Sequence, residues 1–290
     1  MSSLTALQRP SGGFAMLAVD QREALRNMMA DHQVEPVTDD QVRDFKLTAA
    51  RILSPFASAI LIDRQFALEQ AITAGVVDRG CGLIAAADQF ETAHGELVGR
   101  VSIDRAIDPV ALRDKGVVAL KLLVLYRPDG ESDERKRMAE EFIAMSRGAG
   151  LLSIIEPVSR KPIDDRPWDW DEGVLAAAEE LGSLGADLYK AEVPGRAETG
   201  EENVRLSCRR LASAIDGQWV VLSSGVSEDR FPDAMRWACA EGASGFLAGR
   251  AVWASSLGAA DVPAELSQNA SARLRRLGEI VDMSTRHPAS

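Results

Sequence analysis

The chain has 290 residues, with 33 Lys and Arg against 44 Asp and Glu, giving a formal net charge of −11. That length suits one large α/β domain or two average ones, and either buries a sizeable core. The basic residues are scattered among acids rather than gathered in a stripe, which argues against nucleic acid as a partner. Cys81, Cys208 and Cys239 have neither paired nor metal-like spacing, so they read as packing residues in a reducing cytoplasm. Residues 1–10 show neither a basic start nor an apolar stretch, so no secretory signal is expected. No apolar run approaches the roughly 20 residues that span a bilayer.

Apolar strand-like runs alternate with amphipathic stretches along the whole sequence. In chain order the pattern predicts a strand at 14–19, a helix at 39–53, and strands at 59–62, 82–86 and 118–125. A helix at 131–148, a strand at 152–156, a helix at 171–184 and a strand at 187–190 follow. The remainder reads as a helix at 201–215, a strand at 219–223, a helix at 231–241, a strand at 245–248 and a last helix at 271–283. Residues 88–109 hold only short apolar pieces with no clear helix, and 160–170, rich in Pro, Asp and Arg, reads as a surface loop. Repeated strand-then-helix order implies a parallel sheet. Eight such strands favour a single (β/α)8 TIM barrel over residues 1–290, with the last helix packed outside it.

Two predicted strands carry a lysine in apolar surroundings. Lys121 lies in Val117-Val118-Ala119-Leu120-Lys121-Leu122-Leu123-Val124-Leu125, and Lys190 in Ala186-Asp187-Leu188-Tyr189-Lys190-Ala191-Glu192. A buried ammonium is costly unless it is paired, neutralised or chemically employed. With Glu156 on the strand between, the pattern points to an amine poised for Schiff-base chemistry, its pKa lowered by desolvation and a neighbouring cation. Spacing does not decide which lysine is the nucleophile. Glu156 reads equally as a proton shuttle or as a static partner.

Chemistry in such barrels gathers at the C-terminal ends of the strands. Those ends carry Asp20-Gln21-Arg22, Asp63-Arg64-Gln65, Asp88, Ser223-Ser224-Gly225 and Gly249-Arg250. The last two loops suit a phosphate, with glycines for close backbone approach, serine hydroxyls and an Arg fork. Tight turns with an Arg salt bridge are the competing reading. His32, His94 and His287 are too few and too dispersed for a zinc site, so no metal is expected. His32 and His287 read as surface residues, and His94 as a loop residue able to line a pocket. Ser223-Ser224-Gly225 is not a hydrolase elbow, and Ser11-Gly12-Gly13 precedes the first strand rather than following it.

Six motifs together resemble a known family. They are Gly12-Gly13-Phe14-Ala15-Met16-Leu17-Ala18-Val19-Asp20-Gln21-Arg22-Glu23, Ala119-Leu120-Lys121-Leu122-Leu123-Val124-Leu125, Ser153-Ile154-Ile155-Glu156-Pro157-Val158, Ala186-Asp187-Leu188-Tyr189-Lys190, Leu222-Ser223-Ser224-Gly225-Val226 and Gly245-Phe246-Leu247-Ala248-Gly249-Arg250-Ala251-Val252-Trp253-Ala254. Order and content resemble the class I sulfofructosephosphate aldolases, relatives of the tagatose-bisphosphate aldolases. The resemblance runs from Ser11 to about Met283.

It implies reversible retro-aldol cleavage of 6-deoxy-6-sulfofructose 1-phosphate to dihydroxyacetone phosphate and 3-sulfolactaldehyde, a step in sulfoquinovose breakdown. It places the Schiff base on Lys190, the accessory lysine on Lys121, the acid/base carboxylate on Glu156, and the polar pair after the first strand on Asp20 and Gln21. Ser223, Gly249 and Arg250 fall where the family holds the C1 phosphate. It also implies a cytoplasmic homo-oligomer, dimer or tetramer, that needs no cofactor. A sulfonate monoanion offers three acceptor oxygens and no proton, so few cations and more neutral donors favour it over a phosphate dianion. Gln21, Arg22, Arg64 and Gln65 are the candidates for that end, although Arg64 reads equally as a rim salt bridge. The alternatives are tagatose 1,6-bisphosphate or fructose 1,6-bisphosphate as substrate, and, from another class, a non-catalytic phosphosugar sensor.

Overall fold

The computed structural model describes residues 3–223 and 225–286. Its strands are β1 (Phe14–Ala18), β2 (Ala59–Ile62), β3 (Gly82–Ala86), β4 (Asp88–Ala93), β5 (Glu96–Ile103), β6 (Val117–Tyr126), β7 (Leu152–Ser159), β8 (Leu188–Glu192), β9 (Trp219–Leu222) and β10 (Gly245–Ala248). Eight of them close into one parallel barrel in the order β1-β10-β9-β8-β7-β6-β3-β2, while β4 and β5 form a separate antiparallel pair. This is the (β/α)8 architecture that the alternating pattern implies.

The α-helices are α1 (Glu23–Ala30), α2 (Asp39–Leu53), α3 (Leu68–Thr73), α4 (Pro109–Asp114), α5 (Ser132–Gly148), α6 (Trp170–Leu181), α7 (Glu201–Ala214), α8 (Phe231–Ala240), α9 (Arg250–Trp253), α10 (Val262–Glu265) and α11 (Ser271–Arg286). Local chemistry sets several of their starts. Thr38 and Gln41 form a reciprocal capping box at α2, and Asp108 and Asp169 cap α4 and α6 with their carboxylates. Helix α11 buries Leu274, Leu277, Ile280 and Val281 and packs against β1 and α8 outside the barrel.

Strand alternation divides the core in two. Ala15, Leu17, Ile60, Leu120, Ile155, Tyr189, Val221 and Phe246 face the surrounding helices. Met16, Ala18, Leu61, Ile84, Ala119, Ile154, Leu188, Val220 and Leu247 fill the interior, with Leu7 of the short 3-10 turn Leu4–Leu7 packed into the same cluster. Each strand rises two residues per inward side chain. Two positions beyond Ala18, Ala119, Ile154 and Leu188 therefore lie Asp20, Lys121, Glu156 and Lys190. The pairing of Lys121 with Ile154 on one side and Ile154 with Leu188 on the other keeps these strands in step. A polar layer sits directly on an apolar one.

Residues 88–109 are where the structure adds most to the sequence reading. Strands β4 and β5 pair as a hairpin between β3 and β6, with Asp88 opposite Ile103 and Phe90 opposite Val101. His94 and Gly95 turn it with positive φ of 52° and 73°, the conformation that a tight two-residue hairpin turn requires. His94 therefore sits at the hairpin tip and does not line the cavity described below.

Candidate active site

A cavity of about 350 Å³ opens at the C-terminal end of the barrel, a size that suits a small organic ligand. Asp20, Lys121, Glu156 and Lys190 form part of its wall, with Ser223, Gly249 and Arg250 from the last two strand ends and Gln21, Arg22 and Gln65 from the first two. Phe90, Thr92, Leu97 and Val98 of the hairpin supply a mostly apolar side.

Both strand-borne lysines are buried and paired. Lys190 Nζ donates to Glu156 Oε1 at 2.8 Å. Lys121 Nζ lies 2.7 Å from Asp20 Oδ2, 2.9 Å from Asp88 Oδ2 and 2.9 Å from Glu156 Oε2. The contact with Asp88 is a directed hydrogen bond. The contact with Glu156 is an ion pair without that alignment, and it leaves the buried Oε2 with no donor pointed at it. Asp88 is fully satisfied, accepting also from Leu123 N at 3.1 Å and from Arg22 at 2.7 Å.

Opposing effects set the charge states. Burial acts to neutralise Lys121, but Asp20, Asp88 and Glu156 outweigh it and raise its pKa well above the ordinary lysine value. Burial likewise acts to raise Asp20 and Glu156, and the two lysines override it, holding both carboxyls below the usual range. The signs fix a pH window. The depressed acids contribute stability that is present above about pH 4 and lost as pH falls through their folded values. Lys121 contributes stability present below about pH 10 and lost as pH rises through its folded value. Lys121 is thus a counter-ion shared by three carboxylates.

The other expected residues fall into distinct places. Arg22 is locked to Asp88 by its carboxylate and its backbone oxygen and lies 4.2 Å over the Phe90 ring. Arg64 does not reach the cavity: its Nε donates to Asp104 at 2.7 Å, the rim salt bridge of the two readings. Gly225 also lies off the cavity wall, and its φ of +75° explains the glycine by the turn it makes. Gly249 does line the wall, and a Cβ there would sit 2.3 Å from Ala18 O, so close packing on β1 requires it. Ser224 and His287 lie outside the described residues. His32 abuts Gly258 away from the cavity. Burial pushes the thiols of Cys81, Cys208 and Cys239 up to about 12, in keeping with inert packing.

Two features escaped the sequence reading. Arg160, assigned to a surface loop, follows β7 directly and lines the cavity. Lys46 on α2 is fully buried, donates to Val19 O at 2.9 Å and pairs with Asp63, which also accepts from Phe66 N. Its signal was present, because Lys46 shares the inward helical face of Val42, Phe45, Ala49 and Leu53. Burial draws Lys46 below the ordinary lysine range, with Asp63 opposing. The pair fixes the backbone beside Asp20. Asp63→Ala strands the ammonium and is expected to cost about 3–5 kcal/mol, read from the midpoint of urea unfolding at unchanged slope. Unfolding that matches the parent chain would show the pair contributes nothing.

Comparison with known proteins supports the barrel architecture. The profile of the DeoC/LacD family aldolases matches residues 14–255. Tagatose 1,6-diphosphate aldolase 2 of Streptococcus pyogenes serotype M1 is 27% identical over 275 aligned positions, covering 85% of this chain and 82% of its own. Tagatose 1,6-diphosphate aldolase of Staphylococcus haemolyticus is 27% identical over 288, covering 89% and 86%. Among solved structures, fructose-bisphosphate aldolase of Plasmodium falciparum superposes with a TM-score of 0.66 at 16% identity, over 99% of this chain and 93% of that one. An archaeal fructose-1,6-bisphosphate aldolase, solved with its catalytic Lys bound to a carbinolamine intermediate, superposes with a TM-score of 0.63 at 13% identity, over 96% and 98%. Among the described residues no helix is long and apolar enough to cross a membrane, and no cluster of His, Cys, Asp and Glu could hold a metal ion. With its profile matched across the barrel and its polar layer at the strand ends, the chain belongs to the DeoC/LacD family of aldolases, which are carbon–carbon lyases.

Proposed function

We propose that the protein is a Schiff-base aldolase acting on 6-deoxy-6-sulfofructose 1-phosphate. The observation that carries the reading is the Lys190–Glu156 pair, 2.8 Å apart, buried in the wall of the cavity. Lys190 attacks the C2 carbonyl once its proton passes to Glu156, and Glu156 returns that proton to the carbinolamine hydroxyl, which leaves as water and gives an iminium. That iminium is the electron sink for breaking the C3–C4 bond. Glu156, ionised again, takes the C4 hydroxyl proton as the bond breaks. The enamine of dihydroxyacetone phosphate is then protonated at C3, and water releases it from Lys190. Lys121 holds Asp20, Asp88 and Glu156 in place through the cycle. Ser223, Gly249 and Arg250 receive the C1 phosphate.

Borohydride reduction in the presence of dihydroxyacetone phosphate tests this directly. The expected result is a stable adduct whose peptide map places it on Lys190. An adduct on Lys121 would move the nucleophile to that lysine and overturn the assignment, and no adduct would favour a sensor. Cleavage is expected to survive EDTA, because the protonated imine serves as the electrophile. The second reading, tagatose 1,6-bisphosphate as substrate, rests on the names of the streptococcal and staphylococcal relatives. Comparing kcat/KM for the two sugars separates them.

A further inference from the structure

We propose that Arg160 is a specificity-determining residue, binding the anion at the C6 end of the substrate in a site tuned by Glu96 to a single negative charge. The inference rests on the aldolase reading above and extends it to the far end of the sugar. Among the described residues five cations line the cavity: Arg22, Lys121, Arg160, Lys190 and Arg250. Three are committed within the protein, Arg22 to Asp88, Lys121 to three carboxylates and Lys190 to Glu156. Arg64, the other arginine suggested by the sequence, is held by Asp104 outside the cavity.

That leaves Arg250 and Arg160, the latter in only a long contact of 3.8 Å with the carboxylate of Glu96, and a sugar with an anion at each end needs two. The barrel order β10-β9-β8-β7 places the strand of Lys190 between the strand end that carries Arg250 and the one that carries Arg160. A substrate with C2 on Lys190 and C1 towards Ser223 and Arg250 therefore extends its C4–C6 arm towards β7. There the backbone N–H of Arg160 is fixed on Tyr126 O at 2.9 Å, and its NH1 group donates to Ser159 O at 3.1 Å.

The counter-charge distinguishes this end from the other. Glu96, on the hairpin, accepts through Oε2 from the Arg127 guanidinium at 2.6 Å, and the same oxygen lies 3.8 Å from Arg160 Nε. Two guanidiniums share one carboxylate, so the group presents one net positive charge. A sulfonate monoanion balances it, whereas a phosphate dianion brings an extra charge close to Glu96. Thr92, on the same wall, adds a neutral hydroxyl.

The test compares a C1-only ligand with the whole ketose. Arg160→Gln is expected to raise KM for 6-deoxy-6-sulfofructose 1-phosphate about tenfold or more, the weight of a charge-assisted hydrogen bond. The concentration of dihydroxyacetone phosphate that half-saturates borohydride trapping should move much less, because that ligand lacks C4–C6. Glu96→Gln is expected to shift the ratio of kcat/KM towards tagatose 1,6-bisphosphate by about tenfold, and Arg160→Lys to recover part of the loss in KM. Equal weakening of both ligands would place Arg160 at the C1 phosphate, and an unchanged ratio in Glu96→Gln would remove the charge argument. Wild-type trapping run alongside reports on Lys190 separately, so failure of the Schiff-base reading is seen on its own.

Discussion

Lys190→Met leaves no adduct with dihydroxyacetone phosphate and lowers kcat by about four orders of magnitude or more. The size follows from what is lost: a covalent nucleophile takes with it the whole iminium route, and surrounding residues then contribute only binding. Methionine keeps the length and the apolar stem, so the packing of Leu188, Val220 and Ile154 around the strand is retained. The substitution also frees Glu156 Oε1 from the hydrogen bond given by Lys190. Circular dichroism and the unfolding midpoint would show that the barrel still forms, and peptide mapping after borohydride would show whether Lys121 substitutes. Residual trapping at wild-type stoichiometry in this variant would exclude Lys190 as the nucleophile.

Glu156→Gln is expected to lower kcat for ketose cleavage about 10²–10⁴-fold, the span of a positioned general base. Glutamine fills the same volume and still accepts from Lys190, so the effect is on proton transfer. The pH profile gives a second readout. Lys121 and Lys190 hold the Glu156 carboxyl below its ordinary value against the effect of burial. The base is therefore ionised at neutral pH, and kcat/KM for the wild type should fall on the acid side only as pH drops into or below the normal carboxylate range. In Glu156→Gln that limb should flatten. An acid limb centred near pH 6.5 would point to a different base.

Much of the barrel was legible because its signal is local and repeated. Strands β2, β3 and β10 and helix α2 fall on the predicted residues, and the other barrel strands differ by one to three residues at an end. Strand β7 continues to Ser159, and the sequence reading stopped at Glu156 because Pro157 breaks the apolar run. The short helices α1, α3 and α4 were missed, being too brief to show a helical period. The hairpin was hidden for a related reason. One face of Asp88-Gln89-Phe90-Glu91-Thr92-Ala93 looks into the cavity and the other to solvent, so neither reads as a clean apolar stripe.

The polar layer was legible as a set of residues and not as a set of pairs. A lysine in an apolar strand announces itself, but its partners come from 33 to 101 positions away. The choice between Arg64 and Arg160 was invisible for the same reason. Arg64 has Asp104 within reach across the fold, and Arg160 shares a single carboxylate with Arg127. Only the closed barrel decides which guanidinium is left over.

The hairpin of β4 and β5 has a consequence for how such a lyase diversifies. Its hydrogen-bond ladder is internal, and it is spliced between β3 and β6 without belonging to the closed sheet. Lengthening or shortening an insert of that kind costs closure entropy that grows only with the logarithm of its length. The hairpin carrying Phe90, Thr92, Glu96 and Leu97 can therefore be remodelled with little penalty to the barrel, whereas the layer of Lys121, Glu156 and Lys190 is pinned by strand register. Glu96, the counter-charge at the substrate tail, thereby sits on an insert outside the closed sheet, so selection can retune it while the layer of Lys121, Glu156 and Lys190 is kept.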